Sequence, residues 1–311
     1  PKKEYNEISK HILLIGIFMD RIRHLLNIDE IHKRGINGQN ITVAVLDSGS
    51  YPHTDIKENI IYFKDFVSGR KNTYDDNSHG THICGIIGGR GIVNKKYKGI
   101  APHCYLLPIK VLDKSGHGRS ESIINASDWI IRNKNKYNIR IVNISIGTKS
   151  SSCSEEKSDI VKAVDNMWDN GITVLVSAGN NGPSYQSITI PGISRKVITV
   201  GSCKFDNSSY DGHFKYSGKG PTFCNVAKPD IVVPGDNITS CSPGNRYVKK
   251  SGTSMSTPIV AGAAALIFSY DNTLSNNNFK ELLKNSADNL GLDRYTQGFG
   301  RLNIEKCLNL I

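Results

Sequence analysis

Three short motifs in this chain hold side chains of the kind that carry out nucleophilic catalysis. They are Val45-Leu-Asp-Ser-Gly49, Asn77-Ser-His-Gly-Thr-His82 and Ser251-Gly-Thr-Ser-Met-Ser-Thr-Pro258. A serine hydroxyl attacks a carbonyl well only when a base removes its proton, and a buried carboxylate orients that base and stabilises its charged form. The motifs supply one residue for each role, so together they predict a triad of Asp47, His79 and Ser254.

Each motif alone has a simpler explanation. An aspartate at a strand end is often a turn residue, and a serine before an apolar helix is often its N-cap. Ser78 can cap the helix that carries His79, and His79 and His82 share a helix face, as a structural pair or two metal ligands would. No carboxylate shares that face, which disfavours a metal. The occurrence of all three motifs in one chain favours catalysis.

The motifs resemble the active-site signatures of the subtilisin-like serine proteases, and they follow the chain order Asp, His, Ser that is found in subtilisin. The resemblance covers roughly residues 41–303. It implies an α/β three-layer fold, with helices on both faces of a central, mostly parallel sheet. It also implies a serine endopeptidase that works through an acyl-enzyme intermediate. Asn180, in Ser177-Ala-Gly-Asn180, would donate to the oxyanion; the alternative is a turn residue, since Asn-Asn-Gly follows Gly179.

The same resemblance implies a set of substrate-binding residues. Two glycine-bearing edges would pair with a substrate strand, and a third segment would line the primary specificity pocket. These residues are Gly116 and Gly118 on the first edge, Ser145 and Gly147 on the second, and Ala178 and Gly179 in the pocket wall. Thr189 stands at the pocket floor, where many relatives have glycine, and Ile190-Pro191 matches a loop in which the family often has a cis proline. We therefore expect small or medium neutral P1 residues, the residues on the amino side of the cleaved bond.

Neither a cofactor for catalysis nor a metal site is predicted. Asp55 resembles one calcium ligand of secreted relatives, but the segment from Ile83 to Ile100 lacks their Asn-rich calcium loop. One carboxylate does not satisfy a cation that takes six to eight oxygens. We expect no tight calcium site at this place and leave a structural calcium ion elsewhere open.

Elements that could position these residues are visible as apolar, β-branched runs that alternate with amphipathic stretches, which is typical of a parallel sheet covered by helices. We predict strands at 41–46, 109–112, 141–145, 173–177, 197–200 and 230–233, helices at 123–131 and 160–168, and a surface excursion at 204–225. The domain boundaries are 1–35 for an N-terminal extension and 36–311 for the peptidase domain.

The net charge of +11 raises the question of an anionic partner. The basic residues are scattered in short groups such as Lys95-Lys96, whereas nucleic-acid proteins tend to have a dense basic stripe. The apolar run at 12–19 is too short for a bilayer, which needs about twenty residues, and is better explained as a packed strand or helix. We therefore expect protein or peptide substrates, no nucleic acid and no membrane; the oligomeric state stays open. A subtilisin fold kept as a catalytically silent binding or regulatory protein is the main alternative.

The seven cysteines include no CxxC pair and are odd in number. They favour reduced, mostly buried thiols over a disulfide framework, and hence a reducing compartment. Asp20-Arg-Ile-Arg23 stands where a signal peptide would have a small-residue cleavage site. The forty residues before Ile41 are too few for the family's folding-assistant propeptide and resemble the short extension of intracellular relatives. We expect a cytoplasmic enzyme, with a secreted mature form as the alternative.

Overall fold

A parallel β-sheet forms the centre of the computed structural model, which describes residues 19–205 and 216–311. In chain order the strands are β1 Thr42–Asp47, β2 Lys64–Asp65, β3 Tyr105–Lys110, β4 Ile139–Ile144, β5 Thr148–Lys149, β6 Thr173–Ser177, β7 Thr189–Ile190, β8 Ile198–Cys203, β9 Ile231–Pro234, β10 Ile238–Ser242 and β11 Arg246–Lys250. The central sheet has the order β2-β3-β1-β4-β6-β8-β9, and all its neighbours pair in parallel. The pairs β5–β7 and β10–β11 are antiparallel.

Helices cover the sheet, and the three-layer α/β prediction is confirmed. In chain order they are α1 Met19–Leu25, α2 Ile28–Lys33, α3 His79–Gly88, α4 Ser120–Asn133, α5 Asp159–Asp169, α6 Thr253–Tyr270, α7 Asn276–Ser286, α8 Arg294–Gln297 and α9 Ile304–Asn309. Helix α6 packs against α3 and against strands β4, β6, β8 and β9, while α4 and α5 pack against each other. Strands β1, β6, β8 and β9 are buried along their whole length, as a sheet covered on both faces requires.

Helix α6 runs through the interior because its small residues let neighbours approach closely. A Cβ atom on Gly262 would lie 2.5 Å from the Cβ of Ile100. By length and composition α6 could also cross a membrane, but 83% of that window is buried inside the protein. Pro258 is the sixth residue of α6, so the prediction that it lies in the first turn is wrong. Its missing N–H leaves the Ser254 carbonyl without an i+4 donor.

The predicted elements agree with the structure in kind more than in their bounds. Helices α4 and α5 and strands β1, β4, β6, β8 and β9 lie where helices and strands are predicted. The strand predicted at 109–112 lies four residues earlier, as β3, because pairing with β1 runs from Tyr105 to Lys110. The apolar run at 12–19 lies outside the described residues except for Met19, and ten residues of the predicted excursion, 206–215, also lie outside them.

Helices α1 and α2 belong to the same hydrophobic core as the sheet. Met19, Ile22, Ile28 and Ile31 are fully buried in it. The Arg23 guanidinium fixes these helices to the body, since it donates to the Lys98 carbonyl at 2.6 Å and to Asp29 at 2.8 Å. The domain boundary at residue 36 stays a prediction.

The cysteines correct one expectation. Cys153 and Cys224 form a disulfide across 71 positions, whereas the spacing favoured free thiols. Closing a loop of that length restricts the unfolded chain by about 4 kcal/mol. The other five, Cys84, Cys104, Cys203, Cys241 and Cys307, are free and buried as predicted. Sequence spacing could not reveal the pair because its members meet only through the tertiary fold.

Candidate active site

Asp47 and His79 are joined by a short hydrogen-bonded contact at one edge of the sheet. Asp47 ends strand β1 and is fully buried, and His79 is the first residue of helix α3. Its Nδ1 atom lies 2.8 Å from Asp47 Oδ1 and 2.9 Å from Oδ2. An ionised carboxylate accepts a proton there, so Nδ1 carries the hydrogen and Nε2 is the free basic position.

The electrostatics of His79 follow from three charged neighbours. Burial lowers the pKa of His79, but the Asp47 carboxylate, by charge and hydrogen bond, outweighs it, and the net pKa is raised. Lys250 acts against this increase and Asp75 adds to it. Lys250 Nζ lies 3.2 Å from the hydroxyl of Ser78, next to the histidine.

Asp75 organises the turn in which His79 stands. Its Oδ1 accepts from the Ser48 hydroxyl at 2.9 Å, and its Oδ2 accepts from the amide and hydroxyl of Thr81 at 2.9 and 2.6 Å. The Ser48 hydroxyl in turn accepts from the Gly80 amide at 2.9 Å. The predicted side-chain cap from Ser78 is wrong: Ser78 has φ 82° and makes no such bond. Asp75 and Ser48 satisfy the free helix amides instead.

Ser254 reaches the same edge from helix α6. Its hydroxyl donates to the Ser145 carbonyl oxygen at 2.8 Å. Ser145 directly follows β4, whose residue Ile144 pairs with Leu46 of β1, so Ser145 and Asp47 leave neighbouring parallel strands at the same end. The fold therefore gathers the aspartate, histidine and serine of the three motifs within about one strand spacing.

His82, the second histidine of its motif, points away from this edge. It is fully buried, and its Nε2 lies 3.1 Å from the carbonyl oxygens of both Ile238 and Val248. Burial lowers the pKa of His82 to about 3, so the ring is neutral. Of the alternatives for the two histidines, a structural role fits His82.

Asn180 lies after strand β6 and is held by Thr253. Its Oδ1 accepts from the Thr253 amide at 3.0 Å and from the Thr253 hydroxyl at 3.1 Å. The carbonyl end of the side chain is thereby fixed, which leaves the Nδ2 donor facing the other way. Residue 252 must be glycine for this arrangement, since a Cβ there would lie 3.0 Å from Nδ2 and the backbone has φ 147°.

Two edges with glycines border a groove beside these residues. Gly116 and Gly118 lie on an exposed loop that bridges back to Leu112, and Gly147 lies between β4 and β5. The groove between them encloses about 210 Å³. Its apolar lining includes Leu112, Ile123, Ile146, Ile160 and Ile190. The structure thus brings the two predicted edges to opposite sides of one groove.

Thr189 fills the space between Gly147 and Gly179. A Cβ on Gly179 would lie 2.3 Å from Thr189 Cγ2, and a Cβ on Gly147 would lie 2.6 Å from Thr189 Oγ1. The Thr189 amide donates to the Ala178 carbonyl at 3.0 Å, which fixes it against that wall. The peptide bond before Pro191 is cis, as expected.

The surroundings of Asp55 do not suit calcium. Its Oδ1 accepts from the amides of Ile92 and Val93 at 2.9 and 3.1 Å, and its Oδ2 accepts from the Tyr247 hydroxyl at 2.7 Å. Among the described residues, His53 and Cys241 complete a buried group of potential ligands, but His53 Nδ1 accepts from the Asp55 amide. These donors occupy the atoms that a cation would need.

Sequence reasoning missed three residues that shape the site. Ser48, Asp75 and Thr253 lie within or beside the three motifs, so their positions were in view. Their roles depend on contacts with distant segments, such as that between Asp75 and Ser48, 27 positions apart. The only available signal was proximity to the predicted triad.

Comparisons with known proteins agree with this architecture. The profile of the Subtilase family matches residues 38–301. Serine protease AprX of Bacillus subtilis (strain 168) is 39% identical over 317 residues, covering 94% of this chain and 72% of that protease. Subtilisin DY of Bacillus licheniformis is 34% identical over 288 residues, covering 90% of this chain and 95% of that subtilisin.

Solved structures show the same relationship. Sphericase superposes with a TM-score of 0.75 at 28% identity, covering 86% of this chain and 92% of its own. The S41 Psychrophilic Protease gives a TM-score of 0.76 at 29% identity, with the same coverage. A family match over most of the chain, joined to this fold, shows that the protein belongs to the subtilase family and is a subtilisin-type serine endopeptidase acting on proteins or peptides.

Proposed function

We propose that Asp47, His79 and Ser254 are the triad of this endopeptidase and that it works through an acyl-enzyme. The observation that carries the proposal is the contact of the buried Asp47 carboxylate with His79 Nδ1 at 2.8 Å. It leaves Nε2 as the base on the side of the ring where a serine proton can be taken.

Catalysis starts with a rotation of the Ser254 side chain, because its hydroxyl rests on the Ser145 carbonyl at 2.8 Å. A substrate N–H that binds this carbonyl releases the hydroxyl toward His79. Oγ then bonds to the scissile carbonyl carbon while Nε2 takes the hydroxyl proton. The imidazolium returns that proton to the leaving amine, the C–N bond breaks, and an ester to Ser254 remains. Water hydrolyses the ester by the same proton transfers in reverse order.

Asn180 Nδ2 and the Ser254 amide would receive the negative oxygen of the tetrahedral intermediate. Support comes from the Thr253 contacts that fix the Asn180 carbonyl end at 3.0 and 3.1 Å, which orients the donor before substrate binds. The Ser254 amide lies in the first turn of α6, where N–H groups have no intrahelical acceptor. Donors fixed in advance stabilise developing charge without reorganisation.

The substrate would lie as an added strand between the edge at Gly116 and Gly118 and the edge at Ser145 and Gly147, with Ala178 and Gly179 along the pocket wall. The position of Thr189 between the glycines supports small or medium neutral P1 residues. Mass-spectrometric mapping of cleavage in a peptide mixture tests this preference, and dominance of large aromatic P1 residues would refute it.

The proposed chemistry uses side chains of the protein alone, and we propose no cofactor for it. A cytoplasmic location and a structural calcium ion away from Asp55 stay predictions.

Labelling by a fluorophosphonate probe tests the triad. We expect stoichiometric labelling of the wild type and none of Ser254→Ala, with Ser256→Ala as a control in the same helix that keeps the label. A folded wild type that stays unlabelled would favour the catalytically silent alternative.

A further inference from the structure

The Thr189 hydroxyl is a buried polar atom without a partner in the specificity pocket. Thr189 is 3% exposed, and its Oγ1 has no hydrogen-bond partner among the residues that the structure describes. Buried hydroxyls are nearly always bonded, and an unpaired one costs free energy. The exceptions therefore need an explanation, and a ligand that supplies the missing partner is one.

The location of this hydroxyl shows which ligand could reach it. Oγ1 would lie 2.6 Å from a Cβ on Gly147 and 2.7 Å from a Cβ on Gly179. It therefore stands in the slot between the second substrate edge and the pocket wall, where the P1 side chain would enter. Because both flanking residues are glycines, no side chain of the walls separates the slot from Oγ1.

The backbone of Thr189 is already committed, so the hydroxyl cannot turn to it for a partner. The Thr189 amide donates to the Ala178 carbonyl at 3.0 Å, and Thr189 pairs with Lys149 in the β5–β7 ladder. The slot is also shallow, since the threonine fills its depth. A P1 side chain that satisfies Oγ1 must be short and must carry a hydrogen-bonding group close to its Cβ.

We propose that Thr189 selects P1 residues with a small hydroxyl-bearing side chain, serine above all, over apolar residues of equal size. This inference rests on the proposed function and narrows its expected P1 class. The serine hydroxyl extends one atom beyond Cβ and both donates and accepts. An apolar residue of the same shape leaves Oγ1 unpaired in the complex, and that loss appears in kcat/KM.

The test uses quenched peptides that differ only at P1, with serine or its isostere 2-aminobutyrate, whose methyl group replaces the hydroxyl. We expect the wild type to cleave the serine peptide about 2- to 10-fold faster in kcat/KM. Thr189→Val, which keeps the shape and removes the hydroxyl, should lose or reverse this preference. Thr189→Ser should keep it while admitting larger P1 residues. Cleavage positions are verified by mass spectrometry.

Equal or faster cleavage of the 2-aminobutyrate peptide by the wild type overturns the proposal, as does an unchanged serine preference in Thr189→Val. Both results require an active enzyme, so they differ from a failure of the triad, in which no peptide is cleaved and no probe label appears. Should Thr189→Val not fold, the Thr189→Ser variant and the wild-type ratio still decide the matter.

Discussion

The Ser48 hydroxyl donates to Asp75 at 2.9 Å and accepts from the Gly80 amide at the same distance. Ser48 follows Asp47, and Gly80 follows His79, so one carboxylate ties the segments that hold both residues. Asp75 thereby acts on the proposed triad through its neighbours, as a positioning residue.

Asp75→Asn should lower kcat by about 10²-fold, the cost of a small misplacement of reacting groups. The amide that replaces one carboxylate oxygen meets donors from Ser48 or Thr81, which forces the turn to shift. Steady-state kinetics measure the loss. Asp65→Asn is the matched control, since Asp65 also accepts loop amides, from Val67 and Ser68, away from the site; an equal fall in kcat there would contradict a specific role.

The acid limb of kcat/KM reports the pKa of free His79, which must be neutral to accept the serine proton. The Asp47 carboxylate raises that pKa above its usual 6.5 despite burial. Activity is therefore lost as pH falls through a midpoint above this value. Lys250→Gln removes an opposing charge and should move the limb to higher pH, whereas Asp75→Asn should move it to lower pH. Shifts of the same sign in both variants would contradict this assignment.

Asn180→Ala should reduce kcat by about 10²–10³-fold, the loss known for the oxyanion asparagine of the related subtilisin, with a small change in KM. Thr253→Val removes one of the two bonds that orient Asn180 and should cost less. Kinetics on a single peptide substrate give both values. A loss in Asn180→Ala that lies mainly in KM would indicate substrate binding in place of oxyanion stabilisation.

Acid should destabilise the fold through His82, whose pKa burial lowers to about 3. The unfolded chain takes up a proton near pH 6.5 and the folded one does not, so stability is complete above pH 6.5 and declines toward pH 3. At pH 4.5 the loss is about 3 kcal/mol. Urea unfolding of a Ser254→Ala background, which prevents self-digestion, measures it.

His82→Gln keeps a donor for the Ile238 and Val248 carbonyls without a titrating ring. We expect a smaller decrease between pH 7 and 4.5 in this variant than in its parent. His24→Gln, at an exposed histidine, should leave the decrease unchanged. An identical decrease in His82→Gln and its parent would show that other groups dominate.

Much of the fold could be predicted because runs such as Thr173–Ser177 are apolar and β-branched along their whole length. The bounds of β3 could not, because strand pairing places it against β1 while the apolar character continues to Leu112. The three motifs likewise located the candidate site. The resting bond of Ser254 to Ser145 and the orientation of Asn180 by Thr253 lay beyond sequence reasoning, since each joins segments more than 70 positions apart.

The bridge between Cys153 and Cys224 has a practical consequence for an enzyme whose copies can cut one another. It encloses strands β6, β7 and β8 in one covalent loop. A single nick inside the loop leaves two pieces that stay attached, so a damaged molecule keeps the mass of an intact one, apart from one added water. A preparation that looks uniform on a non-reducing gel will reveal its self-inflicted cuts only after thiol is added.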